Sequence, residues 1–433
     1  MKKVLIISYY WPPAGGPGVQ RILKFSKFLP ENGWMPIVIA PKNGTYPAID
    51  ESMLNDIPKE CLVIRTKTLE PFAIYNMLKG SKGEVPVGTT GLQNKSRIQK
   101  LSNYVRANYF IPDARKFWKG YVINAAKKVL KEHKIEAIIT TGPPHSTHLA
   151  GLTLKEKYQI PWIADFRDPW TNIFYNNFLP RTEKTENKDL KLENSVVQGC
   201  SHLVVATPGL EREFSDRKKE ITTILNGFDQ EDISAASNSK TDKFTLAYVG
   251  NLLPSQSVNA LWEAIEELVT ENVFTAENFL LKITGKADNN ILERLKNGAA
   301  KEILEVEGYL PHKEATRRMQ EASLLLFIIP KDKNNKLILT GKLFEYLATR
   351  KPILGIGPVE GDADTILQNS GRDPIIEFNE KQQIKTQLLR YFEIWKSNDQ
   401  TAFQYAANDA LLQFSRQHQA KQLADVLATI TEQ

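Results

Sequence analysis

The feature that most constrains this chain is a repeated alternation. Short runs rich in Val, Ile and Leu occur at 4–8, 36–40, 137–141, 162–164 and 203–206. They recur at 244–249, 279–284, 303–307, 323–329 and 353–356. Such runs fit parallel strands buried on both faces. Between them, 20–29, 121–132, 257–270 and 313–321 read as amphipathic helices. Strand–helix alternation predicts α/β architecture with doubly wound sheets.

One polar segment interrupts the pattern. Residues 229–243, DQEDISAASNSKTDK, have no aromatic side chain and read as a linker. At roughly 100–200 residues per domain, a chain of 433 residues holds two or three. The expected division is an N-terminal Rossmann-like domain over 1–228, the linker, and a second Rossmann-like domain over 244–399. Residues 400–433 read as one or two helices that pack back on the first domain. Two such domains facing one cleft are the simplest assembly. Residues 79–97 read as a loop. In these sheets ligands bind outside the carboxyl ends of strands, so the loops after each strand are where chemistry is expected.

Composition narrows the class. The two cysteines, Cys61 and Cys200, exclude a disulfide framework, and the six histidines have no metal-ligand spacing. No metal and no cofactor are therefore expected. Two unpaired thiols fit a reducing compartment, so the expected location is cytoplasmic. The apolar run after Met1-Lys2-Lys3 is too short for a signal peptide and reads as a first buried strand. No run has the length of a membrane span; 324–329 reads as a core strand. A net charge of +6 suits anionic small molecules or an anionic membrane surface rather than nucleic acid.

Four motifs carry candidate chemistry. Gly15, Gly16 and Gly18 follow the first strand, where glycine permits close backbone approach and helix amides favour an anion. The order is not the dinucleotide G-x-G-x-x-G fingerprint. Thr140-Thr141-Gly142-Pro143-Pro144-His145 brings a histidine, with His148 beside it, to a helix start at a strand end. Asp165-Phe166-Arg167-Asp168-Pro169-Trp170 groups two carboxylates, a guanidinium and an indole after another strand. It suits hydroxyl binding, or simply an Arg–Asp pair that holds its own loop. Thr340-Gly341-Lys342-Leu343-Phe344-Glu345 opens a helix whose free amides can hold a diphosphate, with charge from Lys342. Glu345 stands one turn on and can accept from ribose hydroxyls. Gly250-Asn251, Gly285 and Gly308-Tyr309-Leu310 end further strands and suit a base or sugar.

The ordered set SYYWPPAGGPGVQR, ILNGFD, AYVGNLLP, VEGYLPHKEATRRMQEASLLLFI and GKLFEYLATRKPIL resembles the GT-B glycosyltransferases, in particular glycosyltransferase family 4. The resemblance covers most of the chain. It implies sugar transfer from a nucleotide-sugar donor, with retention of configuration and without a bound metal. The donor would bind mainly the second domain, and a sugar or lipid-linked acceptor the first. By position it implies that Glu345 holds the donor ribose, Gly341, Lys342 and Leu343 the diphosphate, and Gly15 and Gly16 face it. Gly250, Asn251 and Gly285 would line the donor, and Tyr309 and Leu310 its base. His145 and Asp168 are the candidate catalytic residues, with Asp165 and Arg167 on the acceptor side. Polysaccharide or glycolipid synthesis is the expected setting.

Some family positions differ. A glutamate eight residues before Glu345 is replaced by Leu337, and an arginine and a lysine after the second domain's first strand by Asn251 and Gln256. Lys342, Arg21 and Arg317 are the candidate substitutes for the lost cations. Two other readings stay open on the sequence: a nucleotide-sugar epimerase on the same architecture, and a non-catalytic protein that binds a sugar nucleotide. A separate expectation concerns 95–119. There Lys95, Arg97, Lys100, Arg106, Arg115, Lys116 and Lys119 interleave with Tyr104, Tyr109, Phe110, Phe117 and Trp118, with Asp113 the only acid. That pattern suits docking on the inner face of an anionic membrane.

Overall fold

A computed structural model describes residues 1–46, 48–69, 97–173, 176, 179–229, 242–397 and 411–432. The loop read at 79–97 lies outside the described residues except for Arg97, as do 230–241 of the linker and 400–410 of the terminal segment. The chain forms two compact units, Met1–Leu225 with Arg416–Gln433, and Asn226–Ser415.

The first unit is built on seven strands: β1 (Lys2–Ile7), β2 (Trp34–Pro41), β3 (Leu62–Thr66), β4 (Ala137–Gly142), β5 (Trp162–Phe166), β6 (His202–Val205) and β7 (Ile221–Thr223). Their order is β3-β2-β1-β4-β5-β6-β7, and every pairing is parallel. The central register sets Ile6 against Val38 on one side and Ile139 on the other. The helices are α1 (Pro17–Phe28), α2 (Arg97–Tyr109), α3 (Trp118–Glu132), α4 (Ser146–Tyr158), α5 (Glu183–Gly199) and α6 (Pro208–Phe214).

Alternation along β1 splits the core in two. Val4 and Ile6 pack with Ile22, Leu23 and Phe25 of α1 and with Leu423 and Leu427 of the last helix, Arg416–Thr431. Leu5 and Ile7 pack with Val122 and Val129 of α3, Leu154 of α4 and Val196 of α5. Helix starts follow local chemistry. Proline stands at the first turn of α1, where no intrahelical donor is lost. Thr182 caps α5, accepting from Thr185 N at 3.3 Å, with Glu183 and Glu186 in the first turn to suit the helix dipole.

The second unit repeats the plan with five parallel strands: β8 (Phe244–Val249), β9 (Phe279–Thr284), β10 (Leu304–Glu307), β11 (Leu324–Ile328) and β12 (Ile353–Ile356). The order is β10-β9-β8-β11-β12. Its helices are α7 (Asn259–Thr270), α8 (Asn289–Asn297), α9 (His312–Glu321), α10 (Gly341–Ala348), α11 (Asp362–Asn369) and α12 (Lys381–Ser397); Arg416–Thr431 is then α13. Leu246, Leu281 and Leu326 meet Leu261 and Ile265 of α7 and Leu388 of α12.

Two doubly wound α/β units therefore hold the expected architecture. Each sheet reverses its winding at one place, β1/β4 in the first unit and β8/β11 in the second. In such sheets the reversal opens a crevice at the carboxyl edge, where ligands bind. The sequence reading missed β3 and β7, the two edge strands of the first sheet.

Candidate functional site

At the first unit's reversal the loops after β1, β4 and β5 come together. Arg21, fully buried on α1, reaches Asp165 Oδ1 through Nη2 at 2.9 Å and Nε at 3.1 Å. Its Nη1 donates to the Leu225 carbonyl at 3.0 Å. Thr141 Oγ1 donates to Asp165 Oδ2 at 2.8 Å. Both oxygens of Asp165 are thus engaged, and the residue is 1% exposed. This corrects two expectations. Asp165 holds Arg21 rather than an acceptor, because β5 delivers it beneath the loops. Arg21, spent on that carboxylate, is withdrawn from any ligand.

Arg167 clamps the loops to each other. Nη1 donates to the Gly18 carbonyl at 3.0 Å and to Thr141 Oγ1 at 3.1 Å, and Nη2 to the Pro143 carbonyl. Burial lowers its pKa, with Asp165 and Asp168 opposing that shift. Gly15 N donates to the Ala48 carbonyl at 2.9 Å, and Gly16 is the N-cap of α1. Asp168 is exposed and makes no hydrogen bond or ion pair among the described residues.

The histidines are interior groups. His145 stacks on Trp170 with centroids 4.9 Å apart, and His148 on Phe166 at 4.6 Å. His145 Nε2 donates to the Pro169 carbonyl at 3.2 Å, and its Nδ1 is buried without a partner. Burial pushes His145 down to about 3, the Pro169 bond resisting and Arg167 adding to the drop. Burial likewise lowers His148 well below its ordinary value, with His145 and Arg167 contributing. Trp170 is held from behind: its Nε1 donates to Asp189 Oδ1 at 2.8 Å, and Asp189 pairs with Arg181 at 2.5 Å. The expectation of His145 as a catalytic residue is therefore corrected for this conformation. The Trp170 indole covers the ring, and its one proton is committed to Pro169.

At the second unit's reversal the first turn of α10 meets the end of β8. Tyr346, fully buried, accepts from Val249 N at 2.9 Å and so pins the helix to the strand. One turn earlier, Lys342 Nζ lies 3.8 Å from the centroid of the Tyr248 ring. It crosses Gly250, where a Cβ would stand 2.9 Å from both Nζ and Cε. Gly250 has φ 124° and Gly285 φ 118°, both in the region that favours glycine. A Cβ on Gly285 would strike the Gly250 carbonyl.

The donor-side groups divide clearly. No hydrogen bond engages the Gly341 and Lys342 amides among the described residues, and Thr340 Oγ1 is buried without a partner. Leu343 N turns back to the Thr340 carbonyl at 3.2 Å, so its amide is used within the turn. Glu345 is half-buried, and its carboxylate makes no hydrogen bond or ion pair among the described residues. Although Lys342 keeps some exposure, desolvation of its ammonium lowers it to about 7, with Glu345 opposing. Asn251 and Tyr309 are exposed and Leu310 half-buried. Gln256 is a structural residue: Nε2 donates to the Ile328 carbonyl at 2.7 Å, and Oε1 accepts from Leu253 N at 3.0 Å. Arg317 lies 65% exposed on α9 and pairs with Glu321 at 2.9 Å. Of the three candidate cations, Lys342 is the one at this strand end.

Tyr248 and Tyr346 were not singled out in the sequence; Trp170 was, as the indole of its loop, but not as a cover for His145. A usable signal existed for both tyrosines: Tyr248 stands two residues before Gly250, and Tyr346 shares a helix face with Lys342.

The basic and aromatic stretch forms a surface in part. Tyr104, Val105, Tyr109, Phe117 and Tyr121 are exposed, and Lys100 lies on the same helix as the first three. Asp113 turns inward to cap α4, accepting from Ser146 N at 2.8 Å and Ser146 Oγ at 2.7 Å. Trp118 is a core residue, 2% exposed, donating to Thr66 Oγ1 at 2.7 Å. Lys95 lies outside the described residues. Among the described residues no helix is long and apolar enough to cross a membrane.

No protein-family model and no curated protein sequence matches the chain. Solved structures do. Sucrose-phosphate synthase from Thermosynechococcus elongatus is similar over 100% of both chains, with a TM-score of 0.65 at 13% identity. The chain has the GT-B fold. Similar GT-B structures include WaaG, a glycosyltransferase involved in lipopolysaccharide biosynthesis. It aligns over 99% of this chain and 97% of its own, with a TM-score of 0.54 at 14% identity. The catalytic domain of Starch Synthase IV from Arabidopsis thaliana, bound to ADP and acarbose, aligns over 100% of both, with a TM-score of 0.59 at 10% identity. At these identities the likeness is one of fold.

Proposed function

We propose that this GT-B chain is a glycosyltransferase of the hexosyltransferase type. Its second unit holds a nucleotide-sugar donor, and its first takes a sugar or lipid-linked acceptor. The observation that carries this reading is a convergence at one strand end: the unengaged Gly341 and Lys342 amides, the Lys342 ammonium and the unengaged Glu345 carboxylate. A diphosphate needs donors and positive charge, and ribose hydroxyls need an acceptor. Preorganised amides and a cation also stabilise the charge that grows on a departing nucleotide diphosphate. The reading assigns that charge to these groups rather than to a metal.

Gly250 and Gly285 keep the donor's floor free of side chains, Asn251 borders it, and Tyr309 and Leu310 take the base. Asp168 is the acceptor-side group, while Arg167 and His145 hold its loop. The reading includes retention of configuration and a role in polysaccharide or glycolipid assembly. Calorimetric titration with UDP-, GDP-, ADP- and dTDP-sugars tests the core of it. One donor class binds, and Glu345→Ala weakens it by about tenfold or more, as expected for a hydrogen bond to a charged group. Equal binding by the variant, or none of the four donors bound by the natural chain, overturns it.

A lipid-linked acceptor would place the chain at a membrane. The exposed Tyr104, Tyr109 and Phe117 beside Lys100 and Lys116, with Asp113 turned inward, support docking on anionic lipid. Sedimentation with phosphatidylglycerol vesicles at low salt, lost in Tyr109→Ser/Phe117→Ser, is expected; no sedimentation refutes this part.

A further inference from the structure

We propose that Lys342 is the cation that meets the donor's diphosphate, and that Tyr346, Tyr248 and Gly250 are the positioning residues that seat it. The inference rests on reading the second unit as the donor site. Three contacts carry it. The Tyr346 hydroxyl accepts from Val249 N at 2.9 Å, which fixes the start of α10 against the end of β8. The Tyr248 ring then lies under Nζ at 3.8 Å. Gly250 leaves the space in which the end of the lysine rests, since a Cβ there would stand 2.9 Å from Nζ. The result is an ammonium held at the end of β8 with no ion pair among the described residues, on the same helix turn as the unengaged Gly341 and Lys342 amides.

Among the candidate cations named from the sequence, the surroundings favour Lys342. The charged or titratable groups that face it are Glu345 on its own helix and Tyr248 on β8, with Tyr346 one turn behind. Three other cations of the second unit are engaged elsewhere: Arg318 on Glu307 at 2.8 Å, Lys282 on Glu305 at 2.6 Å, and Lys331 over the Phe378 ring. Asn251 and Gln256 carry no charge.

The seat has a consequence for proton balance. Desolvation holds Lys342 near 7 in the free protein. A bound diphosphate favours the charged form and raises that value. Above pH 7, binding therefore takes up a proton, and affinity falls as pH rises.

The test titrates the full chain with UDP, GDP, ADP and dTDP by calorimetry between pH 7 and 9. Their terminal phosphate, which ionises near about pH 6, is then fully charged. For the nucleotide that binds best, affinity drops by up to about tenfold per pH unit. Lys342→Ala weakens binding at pH 7 by about ten- to a hundredfold. Lys342→Arg binds at pH 7 and abolishes the pH dependence, because arginine stays charged. Tyr346→Phe, with its thermal midpoint recorded as a check on folding, shifts the midpoint of the pH profile. A nucleotide that binds the natural chain without pH dependence, or equally well after Lys342→Ala, overturns the inference and leaves the donor reading standing. No binding of any of the four by the natural chain overturns both.

Discussion

Two imidazoles buried side by side make the first unit sensitive to acid. His145 and His148 are 6% and 0% exposed, stacked on Trp170 and Phe166, and both are held neutral. Their folded values lie below the ordinary value near 6.5, so the unfolded chain binds more protons as pH falls. The stability they allow is complete above about pH 6.5 and is lost on acidification, each ring adding a slope of up to about 1.4 kcal/mol per pH unit. Urea unfolding at pH 7.5, 6.0 and 5.0 measures this. His148→Phe flattens the loss if the account is right; an unchanged slope contradicts it. Both histidines were visible in the sequence as residues, but their burial was not. Trp170, which closes over His145, is tied down by Asp189 and Arg181, and periodicity carries no information about such pairings. The same holds for Arg21 and Asp165, which meet across 144 positions. Lys342 was legible as a cation at a helix start. Its seat on Tyr248 was not, because that contact depends on Tyr346 docking α10 against a strand 97 positions away.

Among elements, those buried on both faces were legible. β4, β5, β8 and β11 are buried along their whole length and β1 over its last four residues, and β1 and β11 are near-continuous Val, Ile and Leu runs because apolar layers cover both sides. β3 and β7 lie at the sheet edge and are mostly half-buried. Without two apolar faces, Leu62–Thr66 and Ile221–Thr223 carry too little pattern to be read. The last helix shows what packing adds. α13 lays Leu423, Leu427 and Ile430 into the core built on α1 and β1, although the chain has passed through the whole second unit before reaching it. Leu427, 0% exposed, should be costly to truncate. Leu427→Ala is expected to lower unfolding free energy by about 2–5 kcal/mol, read by chemical denaturation of the full chain. A loss below about 0.5 kcal/mol would mean that α13 is not part of this core.

For the whole molecule, the two units share one topological device. Each doubly wound sheet reverses once, and each gathers its candidate chemistry at that reversal. The groups gathered differ. The first unit spends its charges on itself, through Arg21, Asp165 and Arg167, and leaves Asp168 exposed. The second leaves amides, an ammonium and a carboxylate unengaged. That contrast underlies the assignment of donor to the second unit, and it can be located directly. Hydrogen exchange of the full chain would be followed with and without the nucleotide sugar that binds best. The account predicts its strongest protection at 249–256 and 341–348 in the second unit. Protection confined to the first unit, with these two segments unchanged at saturating donor, would contradict it.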